Sequence, residues 1–199
     1  MNRFWLIPAL GIALLSSVIV DGQANESTPV STICSVEAIS PALLEEIVAR
    51  GVKATPPLEE TTKPVLAGDL VAIFEVVTQS VACANANSVL QSLSLYSERY
   101  LAERFEGDDG SIELGHLLAA ASRDSQPAAP EDLLVLLAVR DALMYADGRI
   151  GVIVRSANAA ATFNDLLVLA KTGSEWRIDQ VVLGEEAAPP ATPTSSQDR

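Results

Sequence analysis

Cys34, Cys83 and His116 are the only cysteines and the only histidine of the chain, and they are the side chains best suited to nucleophilic or metal chemistry. A nucleophilic triad needs a base and an orienting carboxylate, and the sequence contains no nucleophile-elbow motif. One histidine and two cysteines also do not have the spacing of a recognisable zinc site. The sequence therefore predicts no triad, no metal site and no cofactor. It favours a surface or capping position on a helix for His116.

The N-terminus has the pattern of an export signal. Arg3 precedes an uncharged apolar run, 4–20, and small residues at Gly22 and Ala24 favour cleavage after Ala24. The alternative is an uncleaved membrane anchor, for which a run of 17 residues is at the short limit. The predicted location is secreted or in the cell envelope, with membrane contact only through this segment if it is retained.

The chain is strongly acidic, with a formal net charge of -13 and a sequence pI of about 4.4. Such a chain has no basic excess to replace the counterions of a phosphate backbone, which argues against nucleic-acid binding. Aromatic residues make up 5% of the sequence, so stacking surfaces for bases or sugars are scarce. We expect the acidity to keep an exported protein soluble.

Cys83 closes an apolar helical run in "SVACANANS", residues 80–88. No histidine stands in a recognisable relation to it, which argues against a nucleophilic role. A free cysteine in the core is one interpretation. Export to an oxidising compartment favours another, a disulfide with Cys34 that staples the N-terminal segment to the end of the first long helix.

The composition divides the chain into four parts. These are a signal segment at 1–24, an N-terminal extension at 25–64, a main domain at 65–184 and a tail at 185–199 that is disordered by composition. In the extension, Ser40 and Pro41 begin a short helix, 41–50, and a proline-rich linker follows at 52–64.

The main domain changes character along its length. Apolar residues at helical spacing predict a long helix over 66–84, followed by shorter helices and by a turn at 107–110. After residue 131 the runs favour strands, with hairpin signals at Asp147-Gly148 and at Gly173. Helices followed by about four antiparallel strands predict an α+β fold, in which the helices pack on one face of a curved sheet.

The last hairpin, "LVLAKTGSEWRIDQVVL", resembles the end of NTF2-like domains, the superfamily of ketosteroid isomerase and the SnoaL-type polyketide cyclases. The similar positions are Gly173, Trp176, Ile178 and Val181, and "ACANAN" followed by "LQSLSLYSERYL" is similar to the helical half. The resemblance covers about 65–184 and is nearest to secreted bacterial members with a cysteine-containing N-terminal extension. It implies a cone in which helices close over a curved sheet, with an apolar cavity at the wide end.

Enzymes with this fold place acids, tyrosines or histidines inside the cone, which makes Asp141 the candidate general base. Asp141 follows Leu137 and Val139 on one alternating face of the first strand. If that face points inward, the carboxyl has an apolar environment and a raised pKa. The alternative is that Arg140 and Asp141 lie near the strand end, one of them paired at the rim.

The remaining candidates fit structural roles at least equally well. Asp179 lies on the strand face opposite Trp176 and Ile178, so we expect it to face solvent. Tyr96, Tyr100 and Tyr145 can line a cavity and donate hydrogen bonds, but their spacing fits core packing.

Two classes of function remain at this point. The first is an exported, non-catalytic domain that binds a small apolar ligand or a partner protein. The second is an isomerase, dehydratase or cyclase that uses Asp141 as its base, and this hypothesis requires the Asp141 side chain to point into the cavity. The resemblance also implies a possible homodimer through the outer face of the sheet.

Overall fold

The structure is a computed structural model, and it describes residues 33–51, 54–61, 63–122 and 126–184. It confirms the α+β class, because five helices are followed by a four-stranded antiparallel sheet. The helices are α1 (Pro41–Arg50), α2 (Ala67–Asn85), α3 (Val89–Leu93), α4 (Glu98–Arg104) and α5 (Gly107–Ala121). The strands are β1 (Val135–Met144), β2 (Ile150–Ala157), β3 (Thr162–Thr172) and β4 (Glu175–Val182). The predicted signal segment and C-terminal tail lie outside the described residues.

Helix α1 begins as its sequence predicts. The Ser40 side chain accepts a hydrogen bond from the Leu43 amide at 3.2 Å, and Pro41 occupies the first helical position. Gly51 ends the helix with φ 74°, a left-handed conformation that glycine adopts without a steric penalty.

The turn predicted at residues 107–110 is instead the start of α5. Asp108 lies in the first turn of this helix, where a carboxylate stabilises the orphan amides and the positive end of the helix dipole. A Cβ on Gly110 would lie 2.4 Å from the backbone carbonyl carbon of Phe105. Gly110 therefore permits the close approach of α5 to the end of α4, while Gly107 begins the helix with φ 84°.

The four strands form a meander in the order β1-β2-β3-β4. Both predicted hairpin turns are present, with Gly148 at φ 87° and Gly173 at φ 62°. The segment between α3 and α4 extends the sheet beyond β4, because the Ser97 amide donates to Ile178 O and the Ile178 amide donates to Leu95 O, each at 2.8 Å. This segment brings the start of α4 next to the middle of the last strand.

The main core lies between α2 and one face of the sheet. Ile73 and Val77 of α2 are 1% and 0% exposed, and they pack with alternate residues of the strands. The sheet side of this cluster consists of Ile150, Val152, Val154, Leu167, Leu169, Trp176 and Ile178. By length and composition α2 is also the one helix of the described part of the chain that could cross a membrane, with a mean hydropathy of 1.4. One face of α2 packs in the main core, while Val71 and Phe74 on the helix are exposed.

A second core joins the N-terminal extension to the main domain. Leu44 and Ile47 of α1 are buried against Leu101, Phe105 and Leu114 of the later helices. Since a helix of 10 residues is marginal alone in water, this packing is what stabilises α1.

The described residues of the proline-rich linker, 54–61 and 63–64, contain no helix, and the first of these segments is held against the sheet. The Ala146 amide donates to Glu59 O at 2.7 Å, and the Thr61 amide donates to Met144 O at 3.1 Å. Glu60 forms an isolated antiparallel bridge with Tyr145. The segment 54–61 is therefore a strap that crosses the β1–β2 end of the sheet.

Candidate functional site

A disulfide joins Cys34 to Cys83, as the sequence predicts, with a Cα–Cα distance of 4.5 Å. Cys83 is completely buried near the end of α2. The bond excludes the alternatives of a free core thiol, a nucleophile and a metal ligand for both residues. It also indicates an oxidising environment for the folded protein.

Backbone hydrogen bonds hold the segment after Cys34 against the main domain. The Ser35 amide donates to Gln79 Oε1 at 2.9 Å, and Gln91 Nε2 donates to Val36 O at 2.7 Å. The Ile39 amide donates to Leu90 O at 3.1 Å. These bonds and the disulfide fix 34–39 as a wall that stands beside α2; we call it the N-terminal wall.

A groove of about 850 Å³ lies between this wall, α1, α2, the start of α4 and the β3–β4 turn. Its apolar lining combines residues that are distant in the sequence, namely Val36, Ile39, Leu43, Ile47, Ala72, Val76, Leu95, Tyr96, Leu101 and Trp176. Ile47, Leu95, Leu101 and Trp176 are each no more than 6% exposed, so the floor of the groove is part of the packed protein. Leu43 at its edge is 42% exposed. The groove therefore has a packed apolar floor, and its lining surface is about half polar.

The charged residues that line the groove are mostly acidic, and they lie among uncharged polar residues such as Ser40, Gln79 and Ser94. The lining contains four glutamates, Glu37, Glu75, Glu98 and Glu175, and one arginine, Arg177. Arg177 is paired with Glu175, and Arg50 donates to Glu98 Oε2 at 3.1 Å from outside the groove. Among the described residues, Glu37 and Glu75 form no ion pair. The rim therefore carries uncompensated negative charge.

Two of the three tyrosine candidates lie together. The rings of Tyr96 and Tyr100 stack with centroids 4.8 Å apart, and Tyr96 lines the groove. Burial, with a smaller contribution from Tyr100, raises the pKa of the Tyr96 hydroxyl to about 12. Tyr96 is therefore a neutral aromatic side chain of the groove near neutral pH, and its hydroxyl keeps its proton.

Tyr145 lies elsewhere, on the face of the sheet opposite α2. Ile150 and Val152 of β2 point into the main core, so Gly151 between them points to the other face. A Cβ on Gly151 would be 2.8 Å from the Tyr145 hydroxyl oxygen. The ring of Tyr145 thus covers Gly151 on the outer face and does not line the groove.

Asp141 does not point into a cavity. Its side chain is 68% exposed and lies 3.5 Å from Arg140. The expected alternation fails because Arg140 pairs with Ile153 and Leu143 pairs with Gly151, which leaves one extra residue in β1 at a β-bulge. Asp141 has φ 55° in this bulge, a conformation that aspartate tolerates. The enzyme hypothesis required a carboxyl enclosed by apolar residues, and Asp141 does not meet that requirement.

Asp179, expected in solvent, is buried and 4% exposed. A bulge is again the cause: Val168 pairs with Gln180 and the next residue, Leu169, pairs with Ile178, so Asp179 is an extra residue of β4. The extra residue of a bulge points its side chain in a different direction. The alternation of strand faces that is counted from Trp176 therefore does not extend to Asp179.

Asp179 is the centre of a buried ion cluster. Its carboxylate accepts hydrogen bonds from Ser97 Oγ at 2.6 Å, from Arg99 Nε at 3.1 Å and from Arg149 Nη1 at 3.3 Å. Burial alone would raise the pKa of this carboxyl. The hydrogen bonds from Arg99 and Ser97 and the charges of Arg99 and Arg149 outweigh burial and lower the pKa. A carboxylate held in this way is a structural anion and a poor general base.

The same cluster holds the strap. Arg149 Nη2 donates to Pro56 O at 2.8 Å and to Pro57 O at 3.3 Å. Thr55 Oγ1 donates to Glu103 Oε2 at 3.1 Å, and Glu103 pairs with Arg99 at 2.6 Å. The cluster thus connects β2, β4, α4 and the linker, and its role is to fix these elements.

His116 lies on α5 with its residue exposed, as predicted. No group of three or more potential metal-ligating side chains occurs within the described ranges.

No family model matches the chain, and neither the curated proteins nor the solved structures yield a match. The structure therefore defines the class at the level of helices packed on a four-stranded antiparallel sheet.

Proposed function

We propose that this protein is an exported member of the NTF2-like superfamily that acts as a non-catalytic binding module, with the groove as its ligand site. The observation that carries this proposal is a groove of about 850 Å³ whose apolar floor is assembled from α1, α2, α4 and β4. Ligand sites are typically concave, largely apolar and roughly 300–1,000 Å³ in volume, with a few polar groups for orientation.

Two further observations support the proposal. A disulfide fixes one wall of the groove, which reduces the conformational entropy that ligand binding would otherwise cost. The candidate acids lack the setting of a catalytic base, because Asp141 is in solvent and Asp179 is paired with two arginines. Export is supported by the sequence of 1–24 and by the disulfide.

The test uses Nile red, a neutral dye that fluoresces in apolar surroundings, with the purified full chain. We expect saturable binding at one site. Ala72→Phe places a ring in the groove and should weaken this binding at least about ten-fold, which corresponds to about 1.4 kcal/mol.

The matched control is Ala120→Phe, the same change at an exposed position of α5 that does not line the groove. We expect this control to bind Nile red like the unchanged protein. Absence of saturable binding, or an equal loss in both variants, would overturn the proposal.

The homodimer implied by the resemblance stays a prediction. It would use the outer face of the sheet, where the Tyr145 ring already covers Gly151. Light scattering of the full chain measures its oligomeric state. A monomer at all concentrations would rule out the homodimer.

A further inference from the structure

We infer that the ligand of the groove is a small amphipathic cation, with an apolar body for the floor and an ammonium group for the rim. This inference rests on the proposed function and specifies its ligand. It follows from the combination of an apolar floor with an acidic rim in one groove.

The two unpaired carboxylates lie on neighbouring walls of the groove. Glu75 lies one helical turn before Gln79 on α2, so both are on the same side of that helix. Gln79 accepts the hydrogen bond from the Ser35 amide, and Glu37 follows two residues later in the N-terminal wall. A cationic group placed between α2 and the wall would thus have a carboxylate available on each side.

The remaining charges do not satisfy these two carboxylates. Among the described residues Arg177 is the only basic one in the lining, and it is already paired with Glu175. The whole chain carries a formal net charge of -13, so its field attracts cations and repels anions. An anionic amphiphile would meet this repulsion at the rim.

An aromatic side chain of the groove already interacts with an ammonium group. Lys171 Nζ lies 5.4 Å from the centroid of the Trp176 ring, a cation–π geometry. Trp176 is 6% exposed and its ring already carries this cation, so the aromatic surface that the groove offers to a ligand is that of Tyr96.

The dimensions favour a small molecule over a protein segment. The volume of about 850 Å³ is that of a site for one drug-sized ligand. A basic amphipathic helix would need a longer groove that takes side chains at several successive turns.

The experiment compares three ligands with the same ten-carbon chain: decyltrimethylammonium, decanol and decanoate. Each is used below its micelle concentration to displace Nile red from the full chain. We expect the cation to bind at least about ten-fold more tightly than decanol and decanoate to bind most weakly. The advantage of the cation should decrease at about 0.5 M salt, where the Debye length is only a few ångströms.

The variant Glu37→Gln/Glu75→Gln removes the two unpaired charges and keeps side-chain size. We expect it to lose about five-fold or more of its affinity for decyltrimethylammonium, while its affinity for decanol is unchanged, which also shows that the groove is intact. The charge-matched control is Glu131→Gln/Asp132→Asn, at two exposed residues that do not line the groove. Glu131 lies next to the β2–β3 connection, because its carbonyl oxygen accepts a hydrogen bond from the Ala159 amide at 3.2 Å. The groove lies at the other end of β3.

The possible failures are distinguishable. Equal affinity for the cation and decanol, with Nile red still bound, overturns the inference about the cation and leaves the groove as a site. No displaceable Nile red binding overturns the proposed function itself. A basic amphipathic peptide that displaces the dye at far lower concentration than decyltrimethylammonium overturns the choice of a small molecule.

Discussion

Cys34 and Cys83 are bonded to each other across 49 positions of sequence, and this single bond positions a wall of the groove against α2. The extension before the main domain is thereby part of the folded unit and contributes to its candidate ligand site. Loss of the bond should affect both the stability of the protein and the binding of a ligand.

The first prediction concerns this disulfide. Cys34→Ser/Cys83→Ser opens a loop whose closure contributes about 4 kcal/mol in the chain-entropy model, and we expect the free energy of unfolding in urea to fall by up to this amount. Nile red affinity should fall as well, because the N-terminal wall loses its covalent link. The free energy of unfolding and the Nile red affinity are also measured for the unchanged protein after mild reduction of its disulfide. Unchanged Nile red affinity in the reduced protein would show that the wall does not depend on the bond.

The second prediction concerns the buried ion cluster. Asp179→Asn removes the anion that Arg99 and Arg149 share, although Arg99 keeps its pair with Glu103. Arg149 also keeps a pair, with Asp147, and its side chain is only 6% exposed. Removal of one partner from a buried pair typically costs about 3–5 kcal/mol of unfolding free energy. Urea denaturation measures this, with Asp132→Asn as an exposed control that should have little effect. A loss below about 1 kcal/mol, the size expected for a surface pair, would contradict the burial of the cluster.

The third prediction is a pH dependence that belongs to Asp179. Its pKa is lowered from the ordinary value of 3.8 in the folded protein, so its contribution to stability is fully present above that value. The contribution is lost as the pH falls through the native pKa, which lies below 3.8. The difference in unfolding free energy between the unchanged protein and Asp179→Asn should be constant at neutral pH and decrease only in strong acid. A difference in unfolding free energy that grows as the pH falls would contradict the lowered pKa of Asp179.

The fourth prediction concerns the contact between Tyr145 and Gly151. A methyl group on Gly151 would lie 2.8 Å from the Tyr145 hydroxyl and 3.2 Å from Leu166 Cδ1. Gly151→Ala should therefore reduce the free energy of unfolding by about 1–3 kcal/mol, as overpacking does. The control is Gly115→Ala on α5, where a methyl group has no neighbour within 4 Å. A helical Gly→Ala change of this kind is neutral or stabilising by up to about 1 kcal/mol. Thermal or urea unfolding compares the two, and equal stability of both variants would contradict the packing of Tyr145.

Local signals predicted much of the fold. Ser40 and Pro41 fixed the start of α1, and Gly148 and Gly173 fixed the hairpins, because each residue type has a conformational preference that acts within a few positions. The disulfide was predictable because an oxidising compartment favours pairing and only one partner was available for Cys83.

The environment of the acids could not be predicted in the same way. For Asp141 a period of two left both an inward face and a pair with Arg140 at the rim open, and the structure has the pair. For Asp179 it indicated exposure to solvent, and the residue is buried. A bulge interrupts the alternation at each position. A bulge depends on the partner strand, which the sequence of one strand does not contain. The "DGR" of residues 147–149 was a usable signal for the hairpin, but nothing nearby indicated that Arg149 would reach Pro56.

The groove was not predictable for a related reason. Its lining comes from 36–47, 72–79, 94–101 and 172–177, and each of these segments alone is consistent with ordinary core packing. Only their assembly leaves an apolar surface uncovered beside unpaired carboxylates.

The most direct test of the central claim is a residue-resolved NMR titration of the full chain with decyltrimethylammonium. We predict saturable amide shifts that concentrate in 36–39, 72–79, 94–101 and 172–177, with Glu37 and Glu75 among the affected residues. The exposed face of α5 and the β2–β3 connection should be unaffected. Shifts that concentrate on α5 or on the outer face of the sheet, or an absence of saturable shifts, would contradict the assignment of the groove as the binding site.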